Sequence, residues 1–258
     1  MLVSLLLLAL AGLITGALGA MLGVGGGFIL VPMLTVLYGV PIHSAVAAGQ
    51  IGVIATSTVA TVHYLKQDLV HLHLAYGLLF AATVGAAIGA LVGSRLDERI
   101  LAGIFGMVLA WVALRMIRGQ NIPDDPDATV ATCRPVHWWV GQAGALFGGT
   151  LGGLLGIGGG VVNVPLLCMG MRVPLRLAGA TSIFLVGITG ASAAAVYYSR
   201  GYTDLIVCGA TVLGAFAGSW IGARLASRIQ SSYLRIAFGV VAAYTGITMI
   251  VRAVGPSL

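Results

Sequence analysis

Residues 16–32 read GALGAMLGVGGGFILVP, and a close copy of this stretch returns at residues 149–165 as GTLGGLLGIGGGVVNVP. Ten of the seventeen positions are identical at one constant shift, which carries Gly16 onto Gly149 and is called the repeat offset below. A second block recurs at nearly the same shift, because VGAAIGALVGSRL at 84–96 matches LGAFAGSWIGARL at 213–225. Repetition of this kind indicates that the chain consists of two related halves.

The polar segment between the two copies predicts the domain boundaries. Residues 121–135 contain three prolines and three aspartates between two long apolar regions, a composition typical of a loop outside the membrane. We therefore expect a first membrane repeat at 1–120, a polar connecting loop at 121–135 and a second membrane repeat at 136–258.

Composition excludes an ordinary soluble domain. Of the 258 residues, 59% are hydrophobic and 8% are charged, whereas a soluble domain carries about 25% charged residues. The net charge of +6 comes from scattered basic residues, so no nucleic-acid partner is expected. No HExxH, GxSxG or CxxC motif occurs, so we expect no enzyme activity, no cofactor and no metal site.

The apolar runs predict an all-α integral membrane protein. Charges and prolines divide them into eight to ten pieces, most of them close to the 20 or so residues that a membrane helix needs. Two pieces, 28–40 and 161–171, are too short to span, and each follows a glycine cluster and contains a proline. We predict a bundle of membrane helices with two broken or re-entrant Gly-Pro elements.

The first apolar run ends in a small-residue sequence that imitates a signal-peptide cleavage site. It has no basic region before it, and part of it recurs inside the chain, where a signal peptide could not function. We therefore expect a retained helix.

The two glycine clusters are the strongest indication of function. Adjacent glycines cost about 1 kcal/mol each relative to alanine inside a helix, and breaks at matching positions of two halves are typical of transporter binding sites. The helix beginning after each break would present free N–H groups to an anion. The alternative is that the glycines only allow close helix packing. The residues concerned are Gly25, Gly26, Gly27, Gly158, Gly159 and Gly160.

Orientation depends on how often each broken element crosses the membrane. With one crossing the basic residues divide seven against six; with two crossings, nine lie on one side and four on the other. The second division fits the positive-inside rule better and implies inverted repeats. The sequence leaves both arrangements open.

The duplicated GxGGGxxxVP element resembles the TauE/SafE sulfite exporter family, also called the 4-toluene sulfonate uptake permeases, over residues 8–252. The resemblance implies a transporter in the cell (inner) membrane, built as a duplicated bundle of about eight transmembrane helices (4+4). Its expected substrates are small sulfur-containing or organic anions. Members often carry an Ala-Thr-Ser triplet after the short proline-containing segment, and residues 180–182 supply it in the second half. The aligned residues of the first half are Ala47, Ala48 and Gly49, followed by Gln50, which departs from that pattern.

Polar side chains within apolar runs are the candidate substrate ligands, because each is costly in a membrane. Amides and hydroxyls near the breaks can bind an oxyanion by hydrogen bonds, or they can simply join helices. The candidates are Gln50, Asn163, Thr181 and Ser182, with Thr56 and Ser57 nearby. His43 and Arg176 each follow a proline by two residues, and they either attract an anion at a mouth of the pathway or anchor the helix at the interface.

Two glycine-rich helix faces predict close packing. Glycines at four-residue spacing share one face of a helix and allow backbones to approach. The sequence contains this pattern at Gly85, Gly89 and Gly93 and again at Gly214, Gly218 and Gly222. These faces would either hold the halves together or join two chains in a homo-oligomer.

These observations together predict a secondary transporter for a small anion, with sulfite or sulfonates as the expected substrates, that works by alternating access around two broken helices. The partners expected are the anion and the lipid bilayer. An anion channel and a non-transporting membrane scaffold remain alternatives. Saturable, counter-flow-sensitive flux would separate a transporter from a channel.

Overall fold

The computed structural model describes residues 2–117, 130, 133, 136–226 and 231–254. Within these residues all regular secondary structure is helical, which confirms the prediction of a helical protein. Most of the predicted connecting loop at 121–135 lies outside the described residues.

Ten α-helices follow one another along the described parts of the chain. The first five are α1 (Leu2–Leu22), α2 (Gly27–Leu37), α3 (Ile42–Leu65), α4 (Leu72–Gly93) and α5 (Glu98–Ile117). The others are α6 (Trp138–Leu155), α7 (Gly160–Pro165), α8 (Leu175–Ser199), α9 (Leu205–Ala226) and α10 (Ser231–Val254). A π-helical turn at Leu166–Gly170 continues α7.

Helix length separates these elements into two classes. α2 and α7 have 11 and 6 residues, whereas each of the other described helices has at least 18. Five helices in the described part of the chain are both long and apolar enough to cross a membrane: α1, α3, α4, α8 and α9. Apolar side chains such as Phe80 and Leu213 remain exposed on them, as expected of surfaces that face lipid.

The glycine-rich face of α4 packs directly on α6. A Cβ atom at Gly85 or Gly89 would overlap the carbonyl oxygen of Leu146 or Thr150. The glycines of α6 return the contact, because a Cβ at Gly153 would overlap the Ala86 carbonyl oxygen. Backbones this close gain dispersion energy that larger side chains would prevent.

The same arrangement joins α9 to α1. Gly214, Gly218 and Gly222 approach the carbonyl groups of α1, one turn after another, at Ala9, Leu13 and Ala17. Because the residue numbers of the contacting positions increase in the same direction along both helices, α1 and α9 run parallel. α4 and α6 run parallel for the same reason.

These contacts join the predicted repeats to each other. α1 and α4 come from the residues before the connecting loop, and their partners α9 and α6 come from those after it. α3 also crosses α8, and α5 packs on α10. The glycine faces are therefore covered within the chain and are not available for a homo-oligomer, so an oligomer would need another surface.

Because the principal helix contacts run between the halves, we expect neither half to fold alone. A fragment covering 1–125 or 126–258 should aggregate on extraction into detergent, since its glycine faces lack their partners. Co-expressed fragments should purify together. Size-exclusion chromatography of each fragment, compared with the co-expressed pair, measures this; a single fragment eluting as one sharp peak would contradict the expectation.

Candidate functional site

Each glycine cluster ends one helix and begins another. α1 ends at Leu22 and α2 begins after Gly26, and α6 ends at Leu155 and α7 begins after Gly159. The φ angles of Gly26 and Gly159 are 80° and 85°, a left-handed conformation that costs about 1 kcal/mol or more for a residue with a side chain. Glycine at these positions is therefore required by the backbone.

The two breaks touch each other. A Cβ at Gly27 would overlap the carbonyl oxygen of Gly156, and a Cβ at Gly160 would lie 2.6 Å from the Cα of Val24. Each segment thus packs against the loop of the other, and both are buried.

Close packing also covers the start of each short helix in this conformation. The backbone nitrogens of Gly26 and Gly159 lie against Gly19 and Gly152, where even a methyl group would not fit. Close packing, the alternative role predicted for these glycines, therefore accounts for these contacts. Anion binding by the backbone N–H groups stays a prediction, and it requires a conformation in which these contacts open.

Two of the candidate polar side chains meet on α6. Gln50 donates from Nε2 to the carbonyl oxygens of Gly152 and Gly153, at 2.8 and 3.3 Å. The Asn163 side chain packs one turn earlier, with Oδ1 2.6 Å from the position that a Cβ would occupy on Gly148. The fold thus places an amide from each of the two predicted repeats against neighbouring turns of α6.

Three of the candidate side chains carry buried polar atoms that have no hydrogen-bond partner among the described residues. Gln50 is fully buried and Asn163 is 1% exposed, yet Gln50 Oε1 and both amide atoms of Asn163 have no hydrogen-bond partner in the described part of the chain. An unpaired buried polar group lowers the stability of the folded protein by about 1–3 kcal/mol. A hydrogen bond to a ligand or a bound water would remove this penalty. Ser182 Oγ is likewise buried and unpaired among the described residues.

The remaining hydroxyl candidates have partners within the protein. Thr181 Oγ1 accepts a hydrogen bond of 3.0 Å from the backbone N–H of His71. Thr56 and Ser57 donate to carbonyl oxygens of their own helix, at Gly52 and Ile54. The Thr181 contact joins α8 to the start of α4, which fits the helix-packing alternative, whereas Thr56 and Ser57 bond only within α3. Substrate contact by any of the three stays a prediction.

Two tyrosines cap the helices that end at the breaks. The hydroxyl of Tyr64 donates to the carbonyl oxygen of Ala20 at 2.8 Å, and that of Tyr197 donates to the carbonyl oxygen of Leu154 at 3.1 Å. The last carbonyl groups of a helix lack partners within it, and in a membrane they must be satisfied by the protein. The repeat offset carries Tyr64 onto Tyr197.

Removing either cap should lower stability. We expect Tyr64→Phe and Tyr197→Phe each to cost about 1 kcal/mol, equivalent to a fall of about 2–4 °C in melting temperature. Thermal unfolding in detergent measures this. Tyr198→Phe is the matched control, because that residue is 69% exposed, and an equal effect of all three substitutions would contradict the cap assignment.

The two residues predicted at the pathway mouths differ in exposure. His43 is 8% exposed: its Nε2 lies 3.0 Å from the Leu96 carbonyl oxygen, and its ring stacks on Tyr202 with a centroid distance of 4.8 Å. Its Nδ1 lies 3.8 Å from a carboxylate oxygen of Glu98. Arg176 is exposed. In this conformation His43 is part of a helix-end cluster, and attraction of an anion by either residue stays a prediction.

Comparison with known proteins decides the family. Residues 8–249 match the sequence profile described as sulfite exporter TauE/SafE. The chain belongs to the sulfite exporter TauE/SafE family. This confirms the resemblance carried by the duplicated glycine element and makes the protein a multi-pass protein of the cell membrane and a transporter, not an enzyme.

Curated relatives in this family cover nearly the whole chain. A probable membrane transporter protein of Bacillus subtilis, YunE, is 26% identical over 97% of this chain and 99% of its own length. A probable membrane transporter protein of Xylella fastidiosa is 27% identical over 94% of this chain and 93% of its own. One from Methanocaldococcus jannaschii is 26% identical, covering 95% and 94%. No solved structure matches significantly.

Three groups of residues that line the breaks of this TauE/SafE protein were not predicted from its sequence. Thr189 donates to the carbonyl oxygen of Gly158 at 2.8 Å, and the tyrosine caps satisfy the helices before the breaks. Val53 and Val186 lie between the glycine segments. The repeat offset carries each of these residues onto a residue of the same type in the other half. Thr56 corresponds to Thr189, Tyr64 to Tyr197, and Val53 to Val186. Alignment of the halves beyond the glycine block would have indicated them.

Proposed function

We propose that this protein is a secondary transporter of small anions, with sulfite and sulfonates as the substrate class, working by alternating access around its two glycine breaks. The observation that carries the proposal is the unpaired amide of Asn163. It is buried beside a helix break, one turn of α6 from Gln50.

Uncharged hydrogen-bond donors are suited to binding a small anion inside the protein. The Asn163 amide nitrogen and the Ser182 hydroxyl can each donate one or more hydrogen bonds to an oxyanion, without the large desolvation cost of a buried cation. Gln50 Nε2 is already bonded to α6, so its contribution requires that bond to exchange for a ligand oxygen. Backbone N–H groups of Gly26, Gly27, Gly159 and Gly160 would add donors once the breaks separate, whereas those of Gly25 and Gly158 already donate to Gly19 and Gly152.

Helix directions support inverted repeats. The bond from Tyr64 to Ala20 places the C-terminal ends of α3 and α1 together, so these helices run in the same direction. α4 follows α3 through a short turn and returns, and α6 runs parallel to α4. α1 and α6, which carry the equivalent glycine motifs, therefore run in opposite directions, as expected of a duplicated 4+4 bundle with inverted halves.

The interlocked packing restricts how alternating access would occur. Since α1 packs on α9 and α6 on α4, rigid movement of residues 1–120 against 136–258 would break both glycine interfaces. A movement that keeps α1 with α9 and α4 with α6 would preserve them.

The decisive experiment combines binding with counter-flow. The purified protein is heated in detergent with sulfite, methanesulfonate, acetate or chloride at equal ionic strength. A ligand at 100 times its dissociation constant stabilises the folded state by about 2.7 kcal/mol. Anions that stabilise are then assayed in proteoliposomes preloaded with the same anion.

Stabilisation by sulfite or a sulfonate, together with faster uptake into preloaded vesicles, supports the proposal. Uptake that neither saturates nor responds to preloading indicates an anion channel. Absence of stabilisation and of flux for every anion would overturn the anion-transport function while leaving the family assignment unaffected.

A further inference from the structure

Two valines fill the space between the glycine breaks. Val53 lies on α3 and Val186 on α8, and the repeat offset carries the first onto the second. Both are fully buried. Their Cγ1 atoms lie 3.0 and 2.9 Å from the position that a Cβ would occupy on Gly25, and 2.7 and 2.6 Å from that position on Gly158.

The same pair adjoins the candidate binding residues. A Cβ at Gly190 would lie 3.3 Å from Val53 Cγ1 and 3.6 Å from the unpaired Oε1 of Gln50. The valines thus lie beside unpaired polar atoms and between both breaks. They occupy the point at which α3 crosses α8.

We propose that Val53 and Val186 form the apolar barrier that closes the solute pathway at its centre, and that transport requires α3 and α8 to separate at this pair. The inference rests on the proposed transport function. An anion cannot pass between packed methyl groups, because a constriction of this kind excludes water as well as ions.

The contacts between α3 and α8 near these valines are of a kind that can separate during transport. Around Val53 and Val186, methyl groups and small residues make contacts between α3 and α8, including Ser57 against Gly187. Separating them breaks weak dispersion contacts. Separating α1 from α9 or α4 from α6 would instead disrupt close backbone packing along several turns.

A reversible cross-link tests the required separation. The variant Val53→Cys/Val186→Cys is prepared with Cys133, Cys168 and Cys208 replaced by serine, and a protease site is inserted at 121–135. After cleavage, the halves stay together on a non-reducing denaturing gel only where the disulfide has formed. The single variants Val53→Cys and Val186→Cys, treated with the same oxidant, are the matched controls.

We expect the disulfide to lower the transport rate about tenfold or more, as for other conformationally gated steps, and reduction to restore it. The single variants should be unaffected by the oxidant. A cross-linked protein that transports as fast as its reduced form would overturn the barrier assignment. Absence of transport in the reduced and unmutated proteins would instead overturn the proposed function, so the two failures are distinguishable.

Thiol accessibility provides a second measurement that needs no flux and no disulfide. In proteoliposomes the Val53→Cys variant should react with a small charged thiol reagent, because opening exposes it to water, and bound substrate should change the rate. Leu109→Cys is the control, since Leu109 is equally buried but lies on α5. Reaction at position 53 no faster than at position 109 would overturn the proposal.

Discussion

Replacing Gly89 by valine should strongly destabilise the folded protein. A Cβ at this position would overlap the carbonyl group of Thr150 on α6, and a backbone atom cannot move aside as a flexible side chain can. We expect a loss of about 3 kcal/mol or more, which lowers the melting temperature by about 6–12 °C or prevents recovery of monodisperse protein. Fluorescence-detected size exclusion after heating in detergent measures both.

Gly209→Val is the matched control for this substitution. Gly209 lies in α9, is exposed, and has no described atom within 4 Å of the position that its Cβ would take. We expect the Gly209→Val protein to be as stable as the unmutated protein or slightly more stable, since glycine destabilises a helix by about 0.5–1 kcal/mol relative to alanine. Equal losses at positions 89 and 209 would show that the α4–α6 contact has no special role.

Replacing Asn163 by leucine should separate stability from function. The Asn163 amide has no partner among the described residues, so the substitution removes no hydrogen bond and relieves a cost of about 1 kcal/mol or more. Leu30 occupies the equivalent position of the first repeat, which shows that a branched apolar side chain suits this place on a short helix. The melting temperature should stay equal or rise.

The affinity for the anion should nevertheless fall about tenfold or more, because the anion loses a hydrogen bond worth about 1.5–3 kcal/mol. Transport at low anion concentration should fall by the same factor, and the anion-induced stabilisation at a fixed concentration should become smaller. Gln50→Leu provides the contrast: it removes the bonds to Gly152 and Gly153 and should lower stability as well. Full transport by the Asn163→Leu variant at normal stability would remove Asn163 from the binding site.

Much of the candidate site was predictable from local pattern. Glycine triplets before Val-Pro identified the breaks, because consecutive glycines are unfavourable in a helix and recur at one offset. Gln50 and Asn163 were identified because an amide in an apolar run needs a partner. Thr181 was selected as a polar residue in an apolar run, yet the structure pairs it with His71, since spacing along a chain does not show which way a side chain points. The role of Arg176, selected because it follows Pro174 by two residues, stays a prediction.

The sequence by itself determined the membrane environment, the helical class, the repeated glycine motif and the family, because these depend on composition, length and motif alone. Only the tertiary structure decided which helix each glycine face covers, that the two breaks touch, and that Val53 and Val186 fill the space between them. These features arise from contacts between residues far apart in the chain, and no local pattern specifies such partners. Packing selects them, because this arrangement brings glycine opposite backbone along α1 and α9 and along α4 and α6.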